Sequence, residues 1–378
     1  MGSKRVGIVA VSLSLAIVSA GAVAWSVDKQ SVTKGKAAGQ PANDLFAPQP
    51  KDVIELKVPT PTSFHSGVDI IAQKYGFFAR EGIKLKYVGA LDTPSLQIAA
   101  LKAGQIDVLG GHPDIFINVI KGGFKVKGVV RSSLGNETYP HMSFFVRKDS
   151  GINSAKDLIG RKVAPGEGKA GSFDTSCGGF FWSRYLKENG IPRDKLVQVP
   201  LAEPQQEQAL RQGLIDVSAN GPTFAGNYLK RGEFKRLFTS WDLFDTVTDK
   251  EDSEISFRGF TEDFIAKNPE TVRRFVRAIV KANAWTLDHH LLSSEYVGQL
   301  QDFESSVTAE HHLAASGLIE DRPLKLWLAH FEEIGTLKPG QLRPTDLYTN
   351  EFNPFTAANS GKKYPSFFDG KLKTKKKG

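Results

Sequence analysis

The stretch that decides the fold is Leu96–Gly123, LQIAALKAGQIDVLGGHPDIFINVIKGG. Its apolar residues first recur at the spacing of a helix, which Gly104 ends as a C-terminal cap. A short apolar run around Val108 then predicts a buried parallel strand. The glycine pair after this run predicts a turn, and Pro113 with Asp114 favours the first turn of a second helix. The stretch therefore predicts a helix, a strand, a glycine turn and a helix within 28 residues.

A strand that leads through a glycine turn into a helix N-terminus forms a polar pocket. The N–H groups of the first helical turn have no intrahelical partner, and the helix dipole adds partial positive charge there, which suits an anion or a carbonyl group. In open α/β sheets such pockets lie at the carboxyl ends of the strands. An ordinary strand-to-helix turn that binds nothing has the same pattern, so this stretch alone leaves both interpretations open.

The N-terminus has the features of a secretory signal peptide. Lys4 and Arg5 precede the uncharged segment 6–24, which ends in an Ala-x-Ala cleavage site before Trp25. An uncleaved membrane anchor is the alternative, because 19 apolar or small residues can just span a bilayer. We therefore expect an exported protein, either periplasmic or tethered to the outer face of the membrane by an uncut leader.

Charge and cysteine content narrow the classes of function. The formal charge is +8, but two of these charges lie in the leader and five belong to lysines of the C-terminal tail, so the body is near +1. No basic stripe with interleaved aromatic residues is present, so nucleic acid is not expected as a partner. The single cysteine, Cys177, cannot form an internal disulfide. We interpret it as a small buried residue, with a nucleophile or a metal ligand as the alternatives.

A short repeat predicts two similar lobes. GQIDV at 104–108 is echoed by GLIDV at 213–217, and each follows a predicted helix and begins a predicted strand. Two further strands, Met142–Arg147 and Glu254–Phe260, break the alternation of strands and helices and are predicted to cross between the lobes. We predict a two-lobed α/β fold in which each lobe is a mostly parallel sheet flanked by helices, with a cleft that closes by a hinge. The predicted ranges are a signal peptide at 1–24, a flexible tether at 25–52, lobe I at 53–145, lobe II at 146–254, the return strand and C-terminal helices of lobe I at 255–355, and a basic tail at 356–378.

A glycine-rich loop in the second lobe predicts a second polar pocket. GEGKAG at 166–171 matches G-x-G-x-x-G, but no acidic residue follows at the end of a second strand, as a dinucleotide site requires. We interpret it as a loop that raises Ser172 to the N-terminus of a helix over 173–189. The histidine pairs at 289–290 and 311–312 lack metal-ligand spacing, and no Ser/His/Asp order or Gly-x-Ser-x-Gly motif is present. Metal, cofactor and enzymatic activity are therefore not expected.

Together these segments resemble the substrate-binding proteins of ABC importers, in the sulfonate/nitrate/taurine group with the type II periplasmic binding fold. The resemblance covers about Val53–Phe355. It is carried by the order and spacing of GFFAREGI at 76–83, LKAGQIDV at 101–108, VRKDSGINSAKDLIGRKVA at 146–164, GIPRDKLVQV at 190–199 and ALRQGLIDV at 209–217.

The resemblance implies a monomer that captures a small anionic solute between its lobes and delivers it to an ABC permease. By position, it implies ligand contacts from His65, Ser66, Gly111, His112, Asp114, Ser172, Phe173, Thr175, Asn220 and Thr223. Where many members have Trp-Asp-Pro, this chain has Asn-Gly-Pro at 220–222, which leaves the ligand open. The alternatives are a desulfinase-like enzyme, whose first-strand loop would contain the cysteine that 60–66 lacks, a pyrimidine-related enzyme, or a binding protein for a neutral or aromatic solute.

Overall fold

The first lobe is built on a sheet in which one strand runs against the others. In the computed structural model, which describes residues 50–61, 67–91, 94–133, 140–166, 176–245, 255–289 and 316–356, β1 pairs in parallel with β2. The returning strand β10 lies between β3 and β4 and is antiparallel to both. The N–H groups of Asp107 and Val108 both donate to the carbonyl of Lys57, which joins β1 to the segment entering β3. The strands are β1 (Ile54–Val58), β2 (Ile83–Tyr87), β3 (Leu109–Gly111), β4 (Val126–Ser133) and β10 (Ser256–Thr261).

The second lobe repeats this layout. Strand β6 pairs in parallel with β7, and a bridge between Val163 and Val217 joins β6 to the segment entering β8. Strand β5 lies between β8 and β9 and is antiparallel to both, as β10 is in the first lobe. The strands are β5 (Ser143–Arg147), β6 (Lys162–Val163), β7 (Val197–Gln198), β8 (Ser218–Asn220) and β9 (Phe234–Thr239).

Helices follow most of the parallel strands and cover the sheets. In the described part of the chain, no helix combines the length and the apolar character that crossing a membrane requires. Short 3₁₀ helices span Ala155–Leu158, Arg193–Lys195 and Ser240–Leu243. The α-helices are α1 (Gly67–Lys74), α2 (Phe77–Arg80), α3 (Pro94–Lys102), α4 (Pro113–Lys121), α5 (Cys177–Glu188), α6 (Glu203–Arg211), α7 (Pro222–Arg231), α8 (Glu262–Lys267), α9 (Pro269–Asp288), α10 (Asp321–Glu333) and α11 (Pro344–Leu347).

The repeated Gly-x-Ile-Asp-Val motif has one structural role in both lobes. The Asp107 carboxylate accepts the backbone N–H of Lys57 at 2.8 Å, and the Asp216 carboxylate accepts the backbone N–H of Lys162 at 2.9 Å. Each aspartate therefore ties a strand of the parallel pair, β1 in lobe I and β6 in lobe II, to the segment that leads to the candidate site. Because both aspartates occupy equivalent places 109 positions apart, the motif marks a structural duplication.

A buried glutamine on the preceding helix belongs to the same duplication. Gln97 in α3 donates to the carbonyl of Gly110 at 3.0 Å, and Gln206 in α6 accepts the N–H of Ala219 at 2.8 Å. Each glutamine also donates to the loop before its own helix, at the carbonyls of Leu91 and Leu201 respectively. Both side chains thus hold the middle residue of the strand that follows their own helix, β3 in lobe I and β8 in lobe II.

The predicted fold class is confirmed, with two differences in where elements begin. Gly110 and Gly111 were predicted as a turn but lie in β3, because they pair with β10 of the returning chain. The helix predicted over 173–189 is α5, which begins at Cys177, because the hydroxyl of the extended N-cap residue Ser176 accepts the N–H of Gly179 at 3.0 Å. The predicted ranges of the lobes stay predictions. The signal peptide, the tether up to residue 49 and the tail beyond 356 lie outside the described residues.

Candidate functional site

The duplication places two equivalent strand-to-helix turns at the candidate site. Strand β3 leads into α4 and β8 leads into α7, and each helix begins with proline at its first position, 109 positions apart. The N-cap residues, His112 and Gly221, are both extended, with ψ of 171° in each. Since Gly111 and Asn220 end the two strands, the predicted contacts of these loops lie at the carboxyl edges of their sheets.

At the edge of lobe I the backbone requires glycine. Gly111 has φ of 143°, and a Cβ there would lie 2.6 Å from Cγ1 of Ile115. His112 follows, with a side chain only 3% exposed, and its Nδ1 lies 2.6 Å from the carbonyl oxygen of Ile255. A carbonyl can only accept a hydrogen bond, so Nδ1 carries a proton, and in the neutral imidazole the lone pair is on Nε2. Ile255 directly precedes β10, and His112 is therefore tied to the strand that returns to lobe I.

A buried cation lies beside this edge. Arg258 in β10 is opposite Gly110, and a Cβ on that glycine would lie 2.7 Å from Nη1 of the arginine. The guanidinium donates from Nε at 2.7 Å and from Nη2 at 2.5 Å to one carboxylate oxygen of Asp69, in the first turn of α1. Because both side chains are largely buried, the pair positions α1 against the sheet while contributing little net charge.

The edge of lobe II holds buried polar groups that the described residues leave without hydrogen bonds. Asn220 is 0% exposed, and neither its Nδ2 nor its Oδ1 has a hydrogen-bond partner among the described residues. The same is true of the hydroxyl of Ser143, which is directly opposite Asn220 in the β5–β8 ladder. Burial raises the pKa of the nearby Tyr228 hydroxyl, and the proximity of Ser218 and Asn220 acts in the opposite direction, although neither meets the geometry of a formed hydrogen bond. A buried polar atom without a hydrogen bond calls for a partner, such as an ordered water, an ion or a bound molecule.

Carboxylates lie at the N-termini of both helices. Glu203 accepts the N–H of Gly221, the N-cap residue of α7. Asp114 lies in the first turn of α4 and is 6% exposed. These carboxylates interact favourably with the dipoles of α4 and α7, so the N-termini of these two helices already have negative charge beside them.

Aromatic side chains bring the two edges together. The ring of His112 lies 4.1 Å from that of His141, which precedes β5, with the distance measured between ring centroids. Trp327 in α10 stacks on Phe180 of α5 at 4.3 Å and on His112 at 6.0 Å. Cys177, the first residue of α5, is also buried here, as predicted. Helix α10 therefore packs against both lobes at the place where their strand edges converge.

The described residues include five of the ten predicted ligand contacts. The structure places Gly111, His112, Asp114 and Asn220 at the two edges, and it describes Thr223 only as a backbone position in α7. The remaining predicted contacts lie outside the described residues, namely His65, Ser66, Ser172, Phe173 and Thr175. Three residues at these edges were not predicted: His141, Ser143 and Arg258. Ser143 begins a strand that was predicted, and the pairing of this strand with β8 would have identified it; no local signal identifies the other two.

Two sheets of the same layout, each interrupted by one antiparallel strand and meeting at their carboxyl edges, define the type II periplasmic binding protein fold. The family model described as NMT1/THI5 like matches residues 63–290, which is more than half of the chain, and the chain belongs to this family. No curated protein sequence matches it.

Solved structures with the same fold include binding proteins from several bacteria. The alkanesulfonate-binding protein SsuA from Xanthomonas axonopodis pv. citri, bound to MOPS, is 14% identical, with a TM-score of 0.63 over 79% of this chain and 99% of that one. The periplasmic aliphatic sulphonate binding protein SsuA from Escherichia coli is 17% identical, with a TM-score of 0.61 over 80% and 99%. The periplasmic nitrate-binding protein NrtA from Synechocystis PCC 6803 is 13% identical, with a TM-score of 0.62 over 79% and 87%.

Proposed function

We propose that the protein captures a small polar solute between its two lobes and delivers it to an ABC permease in the membrane. The fold supports this role, since proteins named for binding sulfonates and nitrate share it. By the same likeness we propose that the chain is exported, acts as a monomer and does not transform its solute.

The observation that carries the proposal is the buried carboxamide of Asn220. A buried amide without a hydrogen bond costs about 1–3 kcal/mol, and a ligand that supplied the missing hydrogen bonds would remove this cost. The hydroxyl of Ser143 lies at the same edge and also lacks a hydrogen bond among the described residues. A solute with both a donor and an acceptor would satisfy the two side chains together. We propose that these two residues are the main contacts of lobe II.

The charge of the solute is a separate question. The sequence predicted an anion held by helix N-termini at Pro113 and Ser172. The carboxylates of Asp114 and Glu203 lie at the described N-termini of α4 and α7 and repel an anion there. We therefore propose that hydrogen-bonding side chains, rather than bare peptide amides, hold the solute on these two loops.

A thermal-shift screen tests the proposal. The compounds are sulfonates, nitrate, phosphonates and aromatic carboxylates, with neutral polar analogues of each organic class as the comparison for charge. A true ligand stabilises the folded protein by about 2.7 kcal/mol at a hundredfold excess over its Kd. Recovery of the compound unchanged, by mass spectrometry, supports a binding protein. Conversion of any compound would instead support the desulfinase-like or pyrimidine-related alternative, and no shift with any class would contradict solute capture in this form.

A further inference from the structure

Three side chains with metal-binding atoms meet where the lobes converge. His112 is the N-cap residue of α4 in lobe I, His141 precedes β5, and Cys177 begins α5 in lobe II. One ligand atom from each, an imidazole nitrogen or the thiol sulfur, lies within 4.8 Å of the other two. Their exposed fractions are 3%, 2% and 1%. These residues are 29 and 36 positions apart in sequence, so only the fold brings them together.

The kind of donor atom selects the kind of metal. Imidazole nitrogen and thiolate sulfur are ligands of Zn²⁺ and similar borderline ions, whereas Mg²⁺ and Ca²⁺ require oxygen. Zinc bonds of about 2.0–2.3 Å place the donors of a tetrahedral site roughly 3.5 Å from one another. The three atoms lie within 4.8 Å of one another, and side-chain rotation would bring them to the separation that an ion requires. Three protein ligands leave a fourth position open.

His112 makes the kind of hydrogen bond that is typical of metal-bound histidines. A ligating imidazole almost always donates its second ring N–H to a carbonyl or a carboxylate, which fixes the tautomer and the ring orientation. In this protein Nδ1 of His112 donates to the carbonyl of Ile255 at 2.6 Å, so Nε2 has the lone pair that a metal requires. The ring of Phe181 lies 5.5 Å from that of His141, and the ring of Trp327 lies 6.0 Å from that of His112. These two aromatic rings shield the cluster from water.

We propose that His112, His141 and Cys177 bind one zinc-class divalent ion between the two lobes. His141 and Ile255 lie where the chain enters β5 and β10, which are the middle strands of the three-stranded sheets of lobe II and lobe I, respectively. The ion therefore takes ligands from both lobes, and by linking them it stabilises their present arrangement.

The ion also changes the charge of the proposed solute site. It brings positive charge close to α4, where Asp114 repels an anion, so an anionic solute group becomes acceptable in the metal-loaded protein. This consequence rests on the proposed function, whereas metal binding itself does not.

Metal titration of the full chain, without any solute, tests the site. The metal-stripped protein is titrated with Co²⁺, which gives a thiolate-to-metal charge-transfer band, and then with Zn²⁺ in competition. We expect one equivalent to bind with this band, and Zn²⁺ to displace it. Cys177→Ala should abolish the band and weaken Zn²⁺ binding at least about 100-fold, since even loss of an outer-sphere partner weakens binding 10- to 100-fold.

His330→Gln is the matched control, because His330 is a buried histidine that packs on Phe180 outside the cluster. It should keep both the band and the affinity, and circular dichroism verifies that each variant is folded. Conservative replacement Cys177→Ser provides a second variant should the alanine variant not fold. Absence of saturable binding to the wild type, or an unchanged band and affinity in a folded Cys177 variant, would overturn the proposal. A failed solute screen would leave this result intact.

Discussion

Replacing Asn220 with alanine should not destabilise the solute-free protein, although the side chain is fully buried. Both polar atoms of its carboxamide lack hydrogen bonds among the described residues. Removing them recovers about 1–3 kcal/mol of desolvation free energy. The void left by the carboxamide costs less than about 1 kcal/mol, at about 24 cal/mol per Å³. We therefore expect the free energy of unfolding to be unchanged or to rise by up to about 2 kcal/mol, while binding of any solute found in the screen weakens.

Gln206→Ala is the matched control, because it removes a buried carboxamide that is fully bonded. Its Oε1 accepts the N–H of Ala219 at 2.8 Å, and its Nε2 donates to the carbonyl of Leu201 at 3.0 Å. Leaving the buried Ala219 N–H unpaired costs about 1–3 kcal/mol, to which the void adds. Urea unfolding of the two variants, each with and without solute, separates the cases. If Asn220→Ala loses more than about 1 kcal/mol, or binds solute as the wild type does, the reasoning fails.

Two further predictions concern stability alone. Glu81→Gln leaves Arg277, which is 2% exposed, facing a neutral amide, and should lower the free energy of unfolding by about 3–5 kcal/mol. Adding Arg277→Met should recover most of this loss in urea unfolding, and an equal loss in the double variant would contradict a buried charge as the cause. Burial, followed by the hydrogen bond to Asp321, raises the pKa of Tyr348 from 10.0 to about 12. The folded protein therefore keeps a proton that the unfolded chain releases, so stability from Tyr348 is present below pH 10 and is lost as the pH rises to 12. The difference in unfolding free energy between wild type and Tyr348→Phe should shrink over this range, and a constant difference would refute the assignment.

The sequence by itself determined the class of fold, because the signals involved are local or repeated. The apolar spacing of 96–123 and the proline at position 113 predict α4 and its N-terminus from neighbouring residues alone. The second copy of Gly-x-Ile-Asp-Val predicts the second lobe, because each aspartate binds the backbone of a strand in its own lobe. Two of the predicted site residues, Gly111 and Asn220, occupy equivalent places in the two copies and could be found in this way.

Only the tertiary structure decided which side chains lie at the carboxyl edges of the two sheets. The sequence of Gly110 and Gly111 predicts a turn, but in the fold both residues pair with β10, which begins at residue 256. The same strand places Arg258 against Gly110. Cys177 reads as a small core residue, and His141 carries no local signal at all. The two join His112 because the fold places the entrance of β5 beside the first turns of α4 and α5. Contacts between segments so far apart in sequence depend on chain path and packing, which the periodicity of any one segment does not encode.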